Sequence, residues 1–257
     1  MNGVLITGSG QRIGAGIALH LGQAGWHVFV HYHYSRDEAE AVVAAIRSGG
    51  GGATAIGADL GDTTSVAGLV AACEAICPLT LLINNASVFE HDTPATATPE
   101  SLEENMRVNL FAPVLLSQAL HASLKQRVAE GVIINVVDNK VYALNPDHFS
   151  YTLSKVALHG MTHMLAMAFA PAIRVCGIAP GITLISGTQT EAEFQRAHSN
   201  NPLRRGCTVE QIAGAVDFIL ATPSYTGQTI VIDGGQVMQR RPRDIAFLDQ
   251  GSGHAGV

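Results

Sequence analysis

The chain has 257 residues and a mass of 26.9 kDa, which suits one large α/β domain or two small ones, and no Pro/Ser-rich linker or charge block divides it. With 47% hydrophobic and only 14% charged residues, the composition excludes a disordered or fibrous chain and favours a large buried sheet. The net charge of −6, with no basic stripe before the last residues, argues against a nucleic-acid partner but leaves small ligands open.

Short apolar runs alternate with helix-like segments along a single predicted domain. The runs predict strands at residues 2–7, 27–32, 53–58, 79–83, 132–137, 173–178 and 229–232. Helices are expected at residues 15–24, 37–48, 63–76, from 99 to about 125 with a kink or a change of helix at Pro113, from 149 onward, and at 208–220. The polar stretch 183–201 is a candidate substrate lid.

Residues 8–14, with the sequence GSGQRIG, form a glycine-rich turn between the first strand and the first helix. Glycine lets the backbone approach a ligand closely, and the N–H groups at a helix start can face a pyrophosphate. The match to G-x-G-x-x-G is imperfect, because the glycines are Gly8, Gly10 and Gly14 and Arg12 lies among them. The position of the turn before a second strand favours dinucleotide binding over a plain turn.

The residues after the second strand indicate which dinucleotide binds. Folds that bind NAD place a carboxylate there on the ribose 2′-hydroxyl, but here His31, His33, Ser35 and Arg36 precede the first acid. Together with Arg12, these donors favour the phosphorylated ribose of NADP. The alternative is that Arg36 only begins a solvated helix.

A tyrosine and a lysine stand four residues apart after the fifth predicted strand. On a helix, Tyr151 and Lys155 would emerge from one face, and a cation lowers the pKa of a nearby phenol. Asp138 closes the preceding strand and could face the same space, although Tyr-x-x-x-Lys also occurs by chance on amphipathic helices. Asn109, an isolated polar residue in an apolar helical segment, either satisfies a backbone group or takes part in catalysis.

Cysteines and histidines at one-turn spacings are expected to be structural rather than metal-binding. Cys73 and Cys77 lack further ligands, and no third ligand stands near His159 and His163, which we expect in the core. The first strand begins almost at the first residue and leaves no room for a signal peptide, so we expect a cytoplasmic protein with reduced thiols. Residues 156–173 lack charges but contain histidine, glycine and proline, which favours burial, or cover by a second subunit, over a membrane span.

Several short motifs occur in a fixed order between residues 4 and 235. They are Thr7-Gly8 with Gly14, Asp59-Leu60, Asn84-Asn85-Ala86, Asn109, Tyr151 with Lys155, Ala179-Pro180-Gly181 and Asp233-Gly234-Gly235. In this order the motifs resemble the short-chain dehydrogenase/reductase family. The resemblance implies an α/β fold: a single doubly wound Rossmann-type domain at residues 1–240, with a seven-stranded parallel sheet and helices on both faces, and a tail at 241–257. It also implies hydride transfer with a nicotinamide cofactor and, usually, a homotetramer.

The same resemblance implies a role for each matching residue. Tyr151 protonates the substrate, Lys155 holds the nicotinamide ribose and lowers the tyrosine pKa, and Asn109 helps to hold a proton-relay water. Asp59 would contact the adenine, and Asn85 would line the cofactor channel. The implied cofactor-binding residues are Gly8, Arg12, Ile13, Gly14, His33, Tyr34, Ser35, Asp59, Leu60, Asn85, Ala86, Ser87, Tyr151, Lys155, Pro180 and Gly181.

Three departures from the common family pattern are informative. Arg12 replaces a glycine of the turn, Ser87 replaces the glycine after Asn-Asn-Ala, and Asp138 stands where most members have a catalytic serine. These departures occur together in pteridine and dihydromonapterin reductases, in which a phenylalanine at the place of Phe89 stacks on the pterin. His33, Tyr34 and Ser35 resemble the 2′-phosphate segment of that branch. The implied substrate contacts are Arg12, Ser87, Phe89, Asp138 and Tyr151.

These features favour an NADPH-dependent reductase of a dihydropterin or folate-like ring. An ionised Asp138 only accepts hydrogen bonds and would repel a carbonyl oxygen as charge develops on it, whereas a pterin ring offers N–H donors. Two alternatives stay open: an NADPH-dependent reductase of ketones or 3-oxoacyl thioesters, and a non-catalytic NADP-binding sensor. The intact Tyr151, Lys155 and Asn109 argue against the sensor.

Overall fold

The computed structural model describes residues 2–187 and 189–250, so residues 251–257 of the predicted tail lie outside the described part. The strands are β1 Gly3–Ile6, β2 His27–Tyr32, β3 Gly52–Gly57, β4 Leu79–Asn84, β5 Gly131–Val136, β6 Ile173–Pro180 and β7 Thr229–Ile232. They form one parallel sheet in the order β3-β2-β1-β4-β5-β6-β7. The predicted seven-stranded, doubly wound parallel sheet is confirmed.

Helices cover both faces of this sheet. They are α1 Arg12–Gln23, α2 Arg36–Ser48, α3 Thr63–Glu74, α4 Pro99–Met106, α5 Ala112–Arg127, α6 Phe149–Phe169, α7 Glu191–Ser199 and α8 Val209–Ala221. A π-helical turn lies at Arg107–Phe111, and 3₁₀ turns lie at Asn139–Tyr142, Gln236–Met238 and Ile245–Gln250.

Helices bury the sheet on both sides, and each central strand sends alternate side chains into the two resulting cores. In β1, Val4 and Ile6 pack into the core formed with α1, α2 and α8, whereas Leu5 packs into the core formed with α3 and α5. All three side chains are fully buried, and each such burial contributes roughly 1.5–3 kcal/mol. The two cores fix where the carboxyl ends of the strands lie.

The long helix predicted from residue 99 is interrupted earlier than expected. α4 ends at Met106, a π-helical turn follows at Arg107–Phe111, and α5 begins at Ala112. Pro113 lies in the first turn of α5, where its missing N–H costs no helical hydrogen bond. The break therefore precedes the proline, and Asn109 is the buried residue of the π turn.

The polar stretch 183–201 contains a helix that the sequence pattern did not predict. Thr190 begins α7 with a capping box, in which its side chain accepts from the Glu193 N–H and the Glu193 side chain accepts from the Thr190 N–H. Part of the predicted lid is therefore helical.

α6 is less buried than its apolar sequence predicts. Its inner face packs on the sheet, but its outer face exposes Leu153, Val156, Met164 and Met167. His159 is half-buried and lies 3.3 Å from the Thr229 hydroxyl, whereas His163 is exposed, so the prediction of a core position is wrong for His163. No group of three His, Cys, Asp or Glu side chains among the described residues could hold a metal ion.

Other sequence expectations concern cysteines and membrane spans. All four cysteines are buried, and burial raises the pKa of Cys73 to about 12 and that of Cys176 to about 11. Within residues 2–187 and 189–250, no helix has both the length and the apolar character needed to cross a bilayer.

Candidate active site

A cleft of about 1810 Å³ opens at the carboxyl ends of the strands. It lies over β1 and β4, where the strand order reverses, which is the usual ligand position in doubly wound folds. Every predicted cofactor-binding and substrate-binding residue lines this cleft. Asn109 is not part of the lining.

Close backbone packing requires two glycines of the first turn. Gly8 has a φ of +61°, and a Cβ on it would lie 2.9 Å from the Cα of Ala86. A Cβ on Gly14 would lie 2.5 Å from the carbonyl oxygen of Gly8. The Asn85 amide donates to the carbonyl oxygens of Thr7 and Gly8 at 2.9 and 3.1 Å, so the end of β4 holds the turn in place.

The start of α1 is open to an anion. Gln11, at the N-cap, makes no side-chain capping bond, and the first turn carries no acidic residue. The N–H groups and the helix dipole there suit a pyrophosphate. Arg12 has a φ of +55°, a left-handed conformation that costs an L-residue about 1–2 kcal/mol. Its guanidinium donates to the carbonyl oxygen of Ile185 at 2.6 Å and so connects the turn to the candidate lid.

His31 supports the turn and is not a ligand donor, contrary to the sequence interpretation. Its Nδ1 accepts from the Gly8 N–H at 3.0 Å, and its Nε2 lies 3.1 Å from the carbonyl oxygen of Ala58. Burial lowers the pKa of His31 to about 4, so the ring is neutral at pH 7. Both ring nitrogens are therefore occupied within the protein.

The exposed residues that follow β2 form the far end of the cleft. The His33 and Tyr34 rings are in contact, with centres 3.6 Å apart and planes tilted by 30°, and Ser35 begins α2 without a side-chain capping bond. Asp59 lies across from them, with its Oδ2 3.8 Å from His33 Nε2. Arg36 is not part of the cleft lining, which leaves His33, Ser35 and the start of α2 as the donors at this end.

Three ionisable side chains meet at the opposite end of the cleft, between β5 and α6. The Tyr151 hydroxyl donates to Asp138 Oδ2 at 2.7 Å, and Asp138 Oδ1 accepts from the Lys140 N–H at 2.8 Å. Lys155 Nζ donates to the carbonyl oxygen of Val136 at 2.8 Å and lies 5.6 Å from the centre of the Tyr151 ring. The end of a strand and the first turn of a helix thus supply one reactive cluster.

Burial dominates the pKa values of this cluster. It raises the pKa of Asp138, and burial together with the adjacent Asp138 carboxylate raises the pKa of Tyr151 well above its ordinary value. The lowering of the tyrosine pKa expected from Lys155 is not the net effect, because burial and the Asp138 charge raise that pKa. Burial lowers the pKa of Lys155 to about 8, while Asp138 opposes that change. Tyr151 is therefore held as a protonated donor.

Asn109 lies behind the cleft and connects its walls. Its side-chain oxygen accepts from the Val88 N–H at 2.8 Å, and its amide donates to Ser154 Oγ at 2.9 Å and to the Val88 carbonyl at 3.1 Å. Ser154 Oγ in turn donates to the carbonyl oxygen of Tyr151 at 2.7 Å. The side chain satisfies backbone groups, which is one of the two alternatives left open by the sequence.

Aromatic rings line the cleft beside Tyr151. Phe89 stacks on His148, with ring centres 4.2 Å apart, and meets Tyr151 edge-on at 4.7 Å. Burial lowers the pKa of His148, whose Nδ1 lies 2.9 Å from the Glu90 carbonyl oxygen. Sequence reasoning missed His148, although a histidine directly before the Tyr151 helix was a usable signal.

The C-terminal segment, residues 243–247, belongs to the tail assigned from the sequence, and its residues 244–247 line the cleft near Phe89. The Phe247 ring centre lies 4.4 Å from that of His91 and 5.8 Å from that of His148. Arg243 pairs with the buried Asp147, with Nη2 2.8 Å from Oδ1. No local motif marks this segment, because its partners lie about a hundred residues earlier in the chain.

The sheet, the anion-binding turn and the Tyr151–Lys155 pair are together the architecture of a dinucleotide-dependent α/β oxidoreductase. The family model described as short chain dehydrogenase matches residues 2–197. The chain therefore belongs to the short-chain dehydrogenase/reductase family and is an oxidoreductase of that family.

Named relatives refine this assignment. The dihydromonapterin reductase of Enterobacter sp. is 31% identical over 239 residues, which cover 91% of this chain and 95% of that protein. The crystal structure of FolM alternative dihydrofolate reductase 1 from Brucella canis, complexed with NADP, has a TM-score of 0.89 and 39% identity, and covers 95% of this chain and 97% of that one. A 3-oxoacyl-acyl-carrier-protein reductase of Synechocystis sp. is 29% identical over 239 residues, covering 91% and 96%. The predicted resemblance to the pteridine and dihydromonapterin reductases is confirmed.

Proposed function

We propose that this short-chain oxidoreductase uses NADPH to reduce a dihydropterin or a folate-like ring. The observation that carries the proposal is the hydrogen bond from the Tyr151 hydroxyl to the Asp138 carboxylate at 2.7 Å. A carboxylate accepts hydrogen bonds and repels an oxygen that gains negative charge, so it suits a ring that offers N–H groups better than a simple carbonyl. The similarity to a dihydromonapterin reductase and to FolM supports the same substrate class.

The cofactor is NADPH, which supplies the hydride when bound. The glycine turn, in which Cβ atoms at Gly8 and Gly14 would clash with backbone, and the uncapped start of α1 fit its pyrophosphate. His33 and Ser35 lie where a 2′-phosphate would need donors, and β2 ends without a carboxylate. The NADP bound in the FolM structure supports this assignment.

The chain's own residues hold and deliver the proton. Reduction of a ring C=N bond needs a proton on nitrogen as hydride reaches carbon, and Tyr151 is the donor nearest this end of the cleft. Its raised pKa keeps it protonated, and Asp138 fixes the direction of its hydroxyl. The buried Lys155 ammonium, 5.6 Å from the ring centre, offsets the charge that forms on the tyrosine as the proton leaves.

The ring binds against Phe89. One face of Phe89 stacks on His148, and the side chain is 45% exposed, so the remaining surface is free to meet a flat substrate. Arg12 and Ser87 line the same cleft and provide polar contacts to the ring edge.

Reduction of a ketone or a 3-oxoacyl thioester is the second candidate function, and the similarity to the 3-oxoacyl-acyl-carrier-protein reductase favours it over a non-catalytic sensor. The two candidate functions make different demands on position 138. Carbonyl reduction requires a hydrogen-bond donor there, and the Asp138 carboxylate only accepts. A sensor would have no use for the Tyr151–Asp138 bond or for a buried lysine beside it.

A homotetramer in the cytoplasm completes the proposal. Leu153, Val156, Met164 and Met167 repeat at helical spacing on the outer face of α6, and such an exposed apolar stripe suits contact with the same helix of a second copy. Four buried, unoxidised cysteines fit a reducing compartment.

NADPH oxidation over a panel of dihydropterins, dihydrofolate and simple ketones tests the proposal. We expect turnover of at least one dihydropterin, and turnover of ketones alone would refute the substrate class. Asp138→Ser should lower dihydropterin turnover and raise relative activity on ketones, because serine can donate to a carbonyl oxygen. An Asp138→Ser enzyme with wild-type dihydropterin kinetics would make the aspartate purely structural.

A further inference from the structure

Lys140 lies two residues after Asp138 and is almost completely buried, with 7% of its surface exposed. Its Nζ donates to Asp244 Oδ2 at 2.6 Å and to Asn145 Oδ1 at 2.9 Å. A buried ammonium is tolerated only with such partners, because removal of one partner leaves an uncompensated charge. The main partner of Lys140 thus comes from the C-terminal segment.

The C-terminal segment holds Asp244 in a fixed position. The Asp244 N–H donates to Asp147 Oδ2 at 2.7 Å, and Arg243 Nε lies 3.0 and 2.8 Å from the two oxygens of the same carboxylate. The Asp147 side chain is fully buried, and His91 Nε2 lies 3.6 Å from its Oδ1. Two consecutive residues are therefore anchored on one buried carboxylate, and the Asp244 side chain is directed at Lys140.

Lys140 acts on the reactive cluster through its backbone. Its N–H donates to Asp138 Oδ1 at 2.8 Å, and Asp138 Oδ2 accepts the Tyr151 hydroxyl at 2.7 Å. We propose that Lys140 and Asp244 are positioning residues for the Asp138–Tyr151 pair: their ion pair holds the amide that orients Asp138 and balances the ammonium charge beside that carboxylate. This inference rests on the proposed role of Tyr151 as the proton donor.

The titratable groups around the Asp138–Tyr151 pair come from three parts of the fold. Lys155 and His148 come from α6 and its N-cap, Lys140 from the 3₁₀ turn after β5, and Asp244 from the C-terminal segment. The two lysines favour the ionised form of Asp138, whereas Asp244 disfavours ionisation of Tyr151. Removal of the Asp244 charge should therefore lower the apparent pKa of the pair, and removal of the Lys140 charge should raise it.

The pH dependence of kcat at saturating NADPH tests this, with the substrate that the wild-type enzyme reduces fastest. The pH–rate profile is followed on the limb that disappears in the Asp138→Asn variant, because that limb reports the Asp138–Tyr151 pair. Asp244→Asn should move this limb to lower pH by about one unit, and Lys140→Met should move it to higher pH by about one unit. The double variant, which loses both charges, should return the limb close to its wild-type pH but keep a lower kcat, because the ion pair that holds the Lys140 amide is absent. Asp244→Glu, which keeps the charge, should retain the wild-type profile. Glu74→Gln breaks the Glu74–Arg127 ion pair, which is not part of the cleft lining, and should leave the profile unchanged.

Shifts of the same sign in the two single variants, or none in either, would overturn the positioning role. If Asp244→Asn does not fold, Lys140→Met is compared with Asp244→Glu: an upward shift in the first with a wild-type profile in the second supports the role, and an unshifted limb in Lys140→Met overturns it. NADPH affinity, from fluorescence titration, should be the same in all variants. An active Tyr151→Phe enzyme would refute the proposed proton donor, whereas unshifted profiles with an inactive Tyr151→Phe enzyme would refute only the positioning role.

Discussion

Tyr151 shares its proton with a carboxylate, and this determines how the residue can act. The Asp138 charge and burial both oppose ionisation of the phenol, so the resting site stores a proton rather than a tyrosinate. In the proposed reaction, release of the proton becomes favourable only when the substrate nitrogen gains basicity during hydride addition. The Lys155 ammonium would then compensate the charge on Tyr151, and the tyrosine would act as a general acid coupled to the chemical step.

Tyr151→Phe removes this acid and leaves the ring in place. We expect kcat to fall by roughly 10²–10⁴-fold, the usual contribution of general acid catalysis, while NADPH affinity changes little. Steady-state kinetics and a fluorescence titration measure the two effects, and Tyr225→Phe, remote from the cleft, is the matched control. Near-normal turnover of the Tyr151→Phe enzyme would mean that another group supplies the proton.

Lys155 is retained at a cost in stability. Its pKa of about 8 lies below the ordinary 10.5, so the folded state binds the proton more weakly than the unfolded chain. The folded protein is therefore penalised below pH 8, and this penalty is relieved as the pH rises from 8 to 10.5. Because the side chain is 2% exposed, the shift corresponds to roughly 3 kcal/mol.

Lys155→Met should raise the free energy of unfolding at pH 7 while abolishing activity. Loss of the bond to the Val136 carbonyl costs about 1 kcal/mol, which leaves a net gain of about 1–2 kcal/mol. Urea unfolding at pH 7 and pH 10 checks the sign, since the advantage of the variant should narrow at the higher pH. A variant less stable than the wild type at pH 7 would contradict this account.

At the scale of elements, the turn between β1 and α1 contains Arg12, which has a strained backbone and a side-chain hydrogen bond to the candidate lid. Arg12 occupies a left-handed conformation that glycine would adopt freely, and its guanidinium reaches the Ile185 carbonyl oxygen. The Arg12 side chain thereby lies between the glycine-rich turn and the candidate lid. We expect it to contact both a bound cofactor and the candidate lid.

Arg12→Ala and Arg12→Gly separate the side chain from the backbone. Both remove the guanidinium, and because a charge-assisted contact is worth about 1.5–3 kcal/mol, both should erode the preference for NADPH over NADH by roughly tenfold or more. The glycine variant should be more stable than the alanine variant by about 1 kcal/mol, since only glycine relieves the positive φ. The ratio of kcat/KM values for the two cofactors and thermal unfolding measure these effects. A preference retained in both variants would exclude Arg12 from cofactor choice.

For the whole molecule, the sequence predicted those features of the fold and site that depend on short stretches of the chain. β5 is apolar except for Asn135 because both of its faces are buried. Asp138 and Tyr151 could be placed in one cleft because strand ends converge at one edge of a parallel sheet. The Lys140–Asp244 pair could not be predicted, since its partners are 104 residues apart and no motif connects them. The π turn that buries Asn109 and the left-handed φ of +53° at His148 depend on tertiary packing rather than on residue preference.

The outer face of α6 also concerns the whole molecule, because its apolar side chains are exposed in the single chain. Met164 and Met167 are 63% and 73% exposed, and exposed methionines on a helix are typical of a surface that packs against another copy. Met164→Glu with Met167→Glu should shift the protein to smaller species, because burial of two carboxylates in an apolar contact is strongly unfavourable. Sedimentation velocity measures the change. Ile76→Glu, at an apolar side chain 57% exposed outside α6, is the control and should leave the assembly intact. Unchanged sedimentation of the double variant, with the control also unchanged, would exclude α6 from the interface of the proposed homotetramer.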